Sequence, residues 1–94
     1  MRVLVVEDDE ILRDGLAAGL RLGGMTVDTV EDCEDARAAL PSGDYEAVVL
    51  DIALPDGSGL DLLREWRRQG VSVPILLLTA RNFVEDRVEG LDRG

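Results

Sequence analysis

Side chains that could do chemistry follow three apolar runs of this sequence. Glu7 and Asp8 come directly after "VLVV", Asp51 directly follows "AVVL", and Thr79 directly follows "PILLL". If these runs are parallel strands, all four residues lie at the carboxyl edge of one sheet, which is where open α/β sheets bind ligands. Carboxylates a few ångströms apart repel one another, and a hard divalent cation relieves the repulsion. The pattern therefore predicts a Mg2+ site at this edge.

Each of these residues also has a plain structural interpretation. Acids are favourable in the first turn of a helix, so "EDDE" at positions 7–10 suits a helix start. Asp is common at strand ends because it suits turns, and Thr79 suits a strand because it is β-branched. Taken singly, the positions are explained this way; their coincidence at three strand ends favours the metal site.

The elements that must position these residues alternate between strand and helix. Four apolar runs are each followed by apolar residues at helical spacing, and in the fourth unit the spaced residues are Val84, Val88 and Leu91. Four such units predict a doubly wound parallel sheet with helices on both faces. In that arrangement strands one and three are neighbours, which brings the first acidic turn against Asp51.

Composition limits the function. The 94 residues suit one domain, and 20 acids against 10 arginines give a net charge of −10, which disfavours binding a nucleic acid backbone. The chain has no histidine and one cysteine, Cys33, so neither a zinc site nor an internal disulfide is expected. No signal peptide or membrane span is predicted, which favours the cytoplasm. A nucleotide-binding sheet would carry glycines where "EDDE" stands.

Four segments together carry a family resemblance. "VLVVEDD", "LDIALPDGSGLDLL", "PILLLTA" and "DRVEGLDRG" resemble the receiver domain of two-component response regulators, especially the OmpR/PhoB-like class that carries a winged-helix DNA-binding domain. The resemblance covers residues 1–94. It implies a flavodoxin-like α/β fold with strand order 2-1-3-4, and a signalling domain rather than an enzyme, one that at most catalyses its own phosphorylation and dephosphorylation.

The resemblance also implies roles for the residues at the sheet edge. Asp51 would accept a phosphoryl group from a sensor histidine kinase, and Glu7 and Asp8 would be the acidic pair around Mg2+. The backbone carbonyl of Ala53 would be a further metal ligand, and Thr79 would contact the phosphoryl group. The output would be an effector domain, a DNA-binding transcriptional module outside this segment.

The sequence departs from the family pattern in one important respect. All ten basic residues are arginines, whereas the family places a lysine at the end of a fifth strand. We therefore expect a receiver that is incomplete at its C-terminus, with the fifth strand missing and with Ile75–Leu78 as an exposed sheet edge. Such an edge predicts a homodimer through this strand or through the fourth helix. The alternative is a non-phosphorylated interaction or dimerisation module.

A third alternative, an independent aspartate-based phosphatase, is disfavoured. Such an enzyme would need a second Asp two residues after Asp51, where this chain has Ala53.

Overall fold

A computed structural model describes residues 1–78 and 83–86 of the chain. The three helices in this part are α1 (Glu10–Leu22), α2 (Cys33–Ser42) and α3 (Gly59–Arg68). The strands are β1 (Arg2–Val6), β2 (Thr26–Val30), β3 (Ala47–Asp51), β4 (Ala53–Leu54), β5 (Gly57–Ser58), β6 (Ile75–Leu78) and β7 (Phe83–Asp86). None of these helices is long and apolar enough to cross a membrane.

The main sheet has the order β2-β1-β3-β6-β7. Its first four strands are parallel, and β6 is the strand of the fourth unit, so the predicted order 2-1-3-4 is confirmed. Val6 lies opposite Leu50, and Asp51 lies opposite Leu78. The residues that follow β1, β3 and β6 therefore share one edge of the sheet.

The strands β1 and β3 are apolar without interruption because both faces of the sheet are covered. Leu4 and Leu50 face one core with α2 and α3, which contribute buried side chains that include Trp66. Val5 and Val49 face the other core, where Ala17 of α1 packs. The alternation of side chains along a strand thus supplies two cores from one run.

The prediction of a fourth helix, drawn from the spacing of Val84, Val88 and Leu91, was wrong for residues 83–86. These residues form β7, which pairs antiparallel with β6, with Leu78 opposite Phe83 and Ile75 opposite Asp86. A strand edge presents unpaired N–H and C=O groups, and a short return of the chain can pair with them antiparallel without a crossover helix. Helical propensity alone offers no such pairing. Val88 and Leu91 lie outside the described residues.

The prediction that Ile75–Leu78 is an exposed edge was therefore also wrong. Backbone groups of β6 pair with β3 on one side and with β7 on the other. The side chains of Ile75, Leu77 and Leu78 are buried. A dimer built through an open β6 edge does not fit this sheet.

Candidate functional site

The first turn after β1 is held by local hydrogen bonds that fix its acids. Asp9 caps α1, because its side chain accepts the Leu12 N–H at 3.0 Å. Arg13, one turn into the same helix, donates from Nη1 to the Glu7 carbonyl at 3.2 Å and lies 3.9 Å from Glu31 Oε2. Helix capping is thus the role of Asp9, which leaves Glu7 and Asp8 for the edge of the sheet.

Glu7 is a buried acid with one unpaired oxygen. Its side chain is 2% exposed, and Oε2 accepts the Asp9 N–H at 2.9 Å. Its Oε1 is buried and has no hydrogen-bond partner among the described residues. Burial first, and then the neighbouring carboxylates of Asp51 and Asp8, raise the pKa of Glu7 to about 7. A buried oxygen without a hydrogen-bond partner destabilises the folded protein. A cation bound beside Oε1 would supply the missing partner.

The structure brings together three of the predicted site residues. Carboxylate oxygens of Glu7, Asp8 and Asp51 all lie within 4.8 Å of one another. Asp51 is partly exposed at the end of β3, and its Oδ1 accepts the Ala53 N–H at 3.3 Å. Ala53 lines the same open cleft, of about 420 Å³. Thr79 lies outside the described residues.

The donor set fits Mg2+. It consists of carboxylate oxygens that span from a buried position to an exposed one, and Mg2+ combines one or two carboxylates with waters and other oxygen ligands. The chain has no histidine, and Cys33 is buried at the start of α2, so this group offers oxygen ligands alone. The unpaired Oε1 of Glu7 is the atom for which a cation would be a partner.

The segment after Asp51 forms a tight hairpin that closes one side of the cleft. Ala53 pairs with Ser58, and the Gly59 N–H donates to the Ile52 carbonyl at 2.7 Å. A Cβ on Gly59 would overlap the Asp51 carbonyl oxygen, so this position requires glycine. Ser58 caps α3 by accepting the Leu60 N–H, as its place before a helix predicts.

Two contributors were missed by sequence reasoning. Arg13 was not among the predicted site residues, although an arginine six residues after Glu7 is within reach of that turn. Asp56 was not among the predicted site residues either, yet its carboxylate accepts a hydrogen bond from Cys33 at the start of α2, 23 positions away in the chain. No local pattern announces a contact of that separation.

Curated proteins similar to this chain match it over its whole length. The chain is 55% identical over all 94 residues to the response regulator protein PmrA of Pseudomonas aeruginosa, of which it covers 42%. It is 47% identical over its whole length to the transcriptional regulatory protein QseB of Escherichia coli O157:H7, of which it covers 43%. The chain thus spans about two fifths of the length of these curated relatives.

Among solved structures, the chain is similar to response regulators. The response regulator TrrA of Thermotoga maritima, in complex with Mg2+ and BeF, matches with a TM-score of 0.79 and 40% identity, over 84% of this chain and 69% of that one. The same protein in complex with histidine kinase ThkA matches with a TM-score of 0.78 and 40% identity, over 84% of this chain and 68% of that one. The family model described as the response regulator receiver domain matches residues 3–94. The chain therefore belongs to the response regulator receiver family, the signalling domains of two-component systems.

Proposed function

We propose that this chain is a Mg2+-dependent phosphoryl acceptor, in which Asp51 receives the group and the change is passed to an output module. The observation that carries the proposal is the group of three carboxylates of Glu7, Asp8 and Asp51, in which one buried oxygen of Glu7 has no hydrogen-bond partner within the part of the chain that the structure describes. Carboxylates this close repel one another and destabilise the protein when no cation is bound. Their position together at a ligand-binding edge of the sheet therefore indicates a function.

The chemistry follows from where Asp51 lies. One of its oxygens attacks the phosphorus of a phosphohistidine, the P–N bond breaks, and the histidine nitrogen leaves with the bonding electrons and takes up a proton. The product is a mixed anhydride on Asp51, as in other aspartyl-phosphate chemistry. Partial exposure leaves Asp51 accessible to the donor, and the Ala53 N–H orients Oδ1. By the family pattern, Thr79 would contact the transferred group.

The side chains of Glu7, Asp8 and Asp51 and the carbonyl of Ala53 would hold Mg2+. When bound, the cation would offset the negative charge of the carboxylates and of the incoming phosphoryl group, which is the main requirement of phosphoryl transfer. Glu7 must release its proton to become a full ligand, and in the metal-free protein its pKa is raised to about 7. Arg13 and Asp9 hold the turn that carries Glu7 in place.

The surface beside the cleft suits a protein donor. Leu12 lines the cleft at 41% exposure, and Ile11 next to it is 86% exposed. Leu22, at the far end of α1, is 89% exposed. Large exposed apolar side chains at the rim of a site mark protein contacts. We therefore assign the donor to a sensor histidine kinase, the class of partner seen with the Thermotoga relative.

The output is proposed from the relatives. The name of QseB includes transcriptional regulation, and the chain spans about two fifths of that protein. We place the DNA-binding function in an effector domain outside this segment, because a net charge of −10 opposes contact with phosphates. A cytoplasmic location follows for a domain that meets a kinase and is joined to a DNA-binding module. Homodimerisation is retained as a proposal, without the open β6 edge.

Phosphoryl transfer from acetyl phosphate tests the proposal. The parent chain should gain the mass of one phosphoryl group with Mg2+ and none with EDTA, and Asp51→Asn should gain none in either case. Asp44→Asn is the matched control, since Asp44 is exposed before the opposite end of β3, and it should behave like the parent. Mg2+-independent labelling, or equal labelling of Asp51→Asn, would contradict the proposal; no labelling of the parent would favour the interaction module.

A further inference from the structure

The tip of the β4–β5 hairpin is tied to the start of α2. Asp56 Oδ1 accepts the Cys33 N–H at 2.8 Å, and Asp56 Oδ2 accepts the Glu34 N–H at 3.0 Å. The first amides of a helix have no partner inside the helix, and a carboxylate is their favoured acceptor. The two hydrogen bonds lower the pKa of Asp56, with that from Cys33 the largest cause.

Helix α2 already has a cap of its own. Asp32 accepts the Asp35 N–H at 2.8 Å through Oδ1, and its carbonyl accepts the Ala36 N–H at 3.1 Å. Two carboxylates thus share one helix start, one adjacent in sequence and one from a distant hairpin. The local cap serves the helix alone, whereas Asp56 also fixes the hairpin.

The hairpin that Asp56 fixes is the one that lines the acidic cleft. Its base is held behind Asp51 by the hydrogen bond from Gly59 to Ile52, and Ala53 lies between that base and the tip. The hairpin also passes close to the buried Cys33 side chain, since a Cβ added to Gly57 would lie 3.6 Å from Sγ. The base and tip are therefore both anchored, and Asp56 is the anchor of the tip.

We infer that Asp56 is a positioning residue for the metal site: by tying the hairpin tip to α2, it holds Ala53 at the cleft and so sets the affinity for Mg2+. This inference rests on the proposed function. Asp56 acts through the backbone of the hairpin, and Oδ1 and Oδ2 are both engaged with α2. Residues that orient a metal ligand typically change metal affinity by about 10–100-fold when replaced.

The test compares two ways of weakening the same helix start. Asp56→Ala removes the distant carboxylate, Asp32→Ala removes the local cap, and Asp56→Asn retains an oxygen that can accept the Cys33 N–H. Mg2+ binding to the full 94-residue chain is measured by calorimetry, and amide hydrogen exchange of Ala53 is measured without Mg2+. We expect Asp56→Ala to weaken Mg2+ binding about tenfold and to speed exchange at Ala53. Asp56→Asn should fall between, and Asp32→Ala should match the parent in both measurements despite a comparable loss in Tm.

Three results would overturn the role of Asp56. In the first, Asp56→Ala binds Mg2+ as the parent does. In the second, Asp32→Ala weakens binding as much as Asp56→Ala, so that helix stability alone matters. In the third, exchange at Ala53 is the same in Asp56→Ala and the parent. A parent chain that binds no Mg2+ at all would overturn the proposed function, and with it the role of Asp56. A parent that binds Mg2+ combined with any of the three results above would overturn the role of Asp56 alone, so the two failures can be told apart.

Discussion

Glu7 carries the main electrostatic conflict of the site. Its side chain is buried beside two other carboxylates, and its pKa is raised from the usual 4.5 to about 7. A carboxyl whose pKa is higher in the folded state than in the unfolded chain binds protons more tightly when folded. Stability is therefore lost as the pH rises through the interval between those two values.

The pH dependence of the metal-free protein tests this conflict. Between pH 5 and pH 8.5 with EDTA, the free energy of unfolding should fall by roughly 1–3 kcal/mol, allowing for solvent at the open cleft. The acids with lowered pKa values, such as Asp28 and Glu65, are ionised in both states over most of this interval and add only a small slope of opposite sign near pH 5. Urea unfolding of the parent and of Glu7→Gln measures the difference: the variant should show little fall, and equal slopes would contradict the role of Glu7.

Gly59 is the residue whose replacement should disturb the hairpin most directly. An added methyl group would overlap the Asp51 carbonyl oxygen, so Gly59→Ala should lower stability by roughly 1–3 kcal/mol and weaken Mg2+ binding. Gly19→Ala on α1 is the matched control, because a Cβ there meets nothing within 4 Å. That control should raise stability by about 0.4–1 kcal/mol. Chemical denaturation of the two variants measures these changes in stability. A Gly59→Ala variant as stable as the parent would show that the hairpin accommodates the added methyl group without strain.

At the scale of elements, α1 combines a buried face with an exposed apolar one. Ala17 packs in the core, whereas Ile11 and Leu22 are almost fully exposed at the two ends of the helix. Only Ile11 lies near the acidic cleft, since its neighbour Leu12 lines it. If the donor is a protein, the two exposed residues should differ in their effect on transfer.

Transfer from a kinase can be separated from transfer from a small donor. With a histidine kinase that phosphorylates the parent, Ile11→Ser should slow the transfer about tenfold. A loss of this size corresponds to one well-packed interface contact. The rate with acetyl phosphate should stay unchanged, because Ile11 contributes no group to the chemistry. Leu22→Ser controls for lost surface apolarity and should leave both rates unchanged. Equal loss with both donors would show that Ile11 acts on the site rather than on the partner.

The elements were predictable to the extent that their causes are local. The doubly wound sheet with its first and third strands adjacent followed from alternating strands and helices, whereas the full order 2-1-3-4 was implied by the family resemblance. The helix start at "EDDE" followed from the preference of acids for a first helical turn. Residues 83–86 were misassigned because spacing at Val84 suits a helix, whereas pairing with a neighbouring strand decides the outcome. The bond from Asp56 to α2 depends on the folded arrangement of two distant segments, so sequence spacing carries no sign of it.

At the scale of the whole molecule, excess negative charge is the dominant electrostatic feature. The 20 acids outnumber the 10 arginines, and self-repulsion of like charges destabilises a compact state. Salt screens this repulsion over about 10 Å at 0.1 M ionic strength. Both NaCl and MgCl2 should therefore raise Tm, but for different reasons.

Thermal unfolding separates screening from binding. At matched ionic strength, Mg2+ at tenfold its Kd should add about 1.4 kcal/mol, or roughly 5–10 °C in Tm for a chain of this size. This extra rise should saturate in the parent and be largely lost in Asp51→Ala, whereas the rise with NaCl should be the same in both. An equal response of the two proteins to Mg2+ would place the cation elsewhere.

The identity of the phosphorylated residue tests the central claim most directly. The parent chain is labelled with acetyl phosphate and Mg2+, the acyl phosphate is reduced with borohydride, and the modified residue is identified by peptide mass spectrometry. We predict reduction at Asp51 alone, since Asp8 and Glu7 serve the cation and Asp56 is engaged by the amides of α2. A label on Asp8 or Asp56, with Asp51 unmodified, would contradict the assignment of Asp51 as the acceptor.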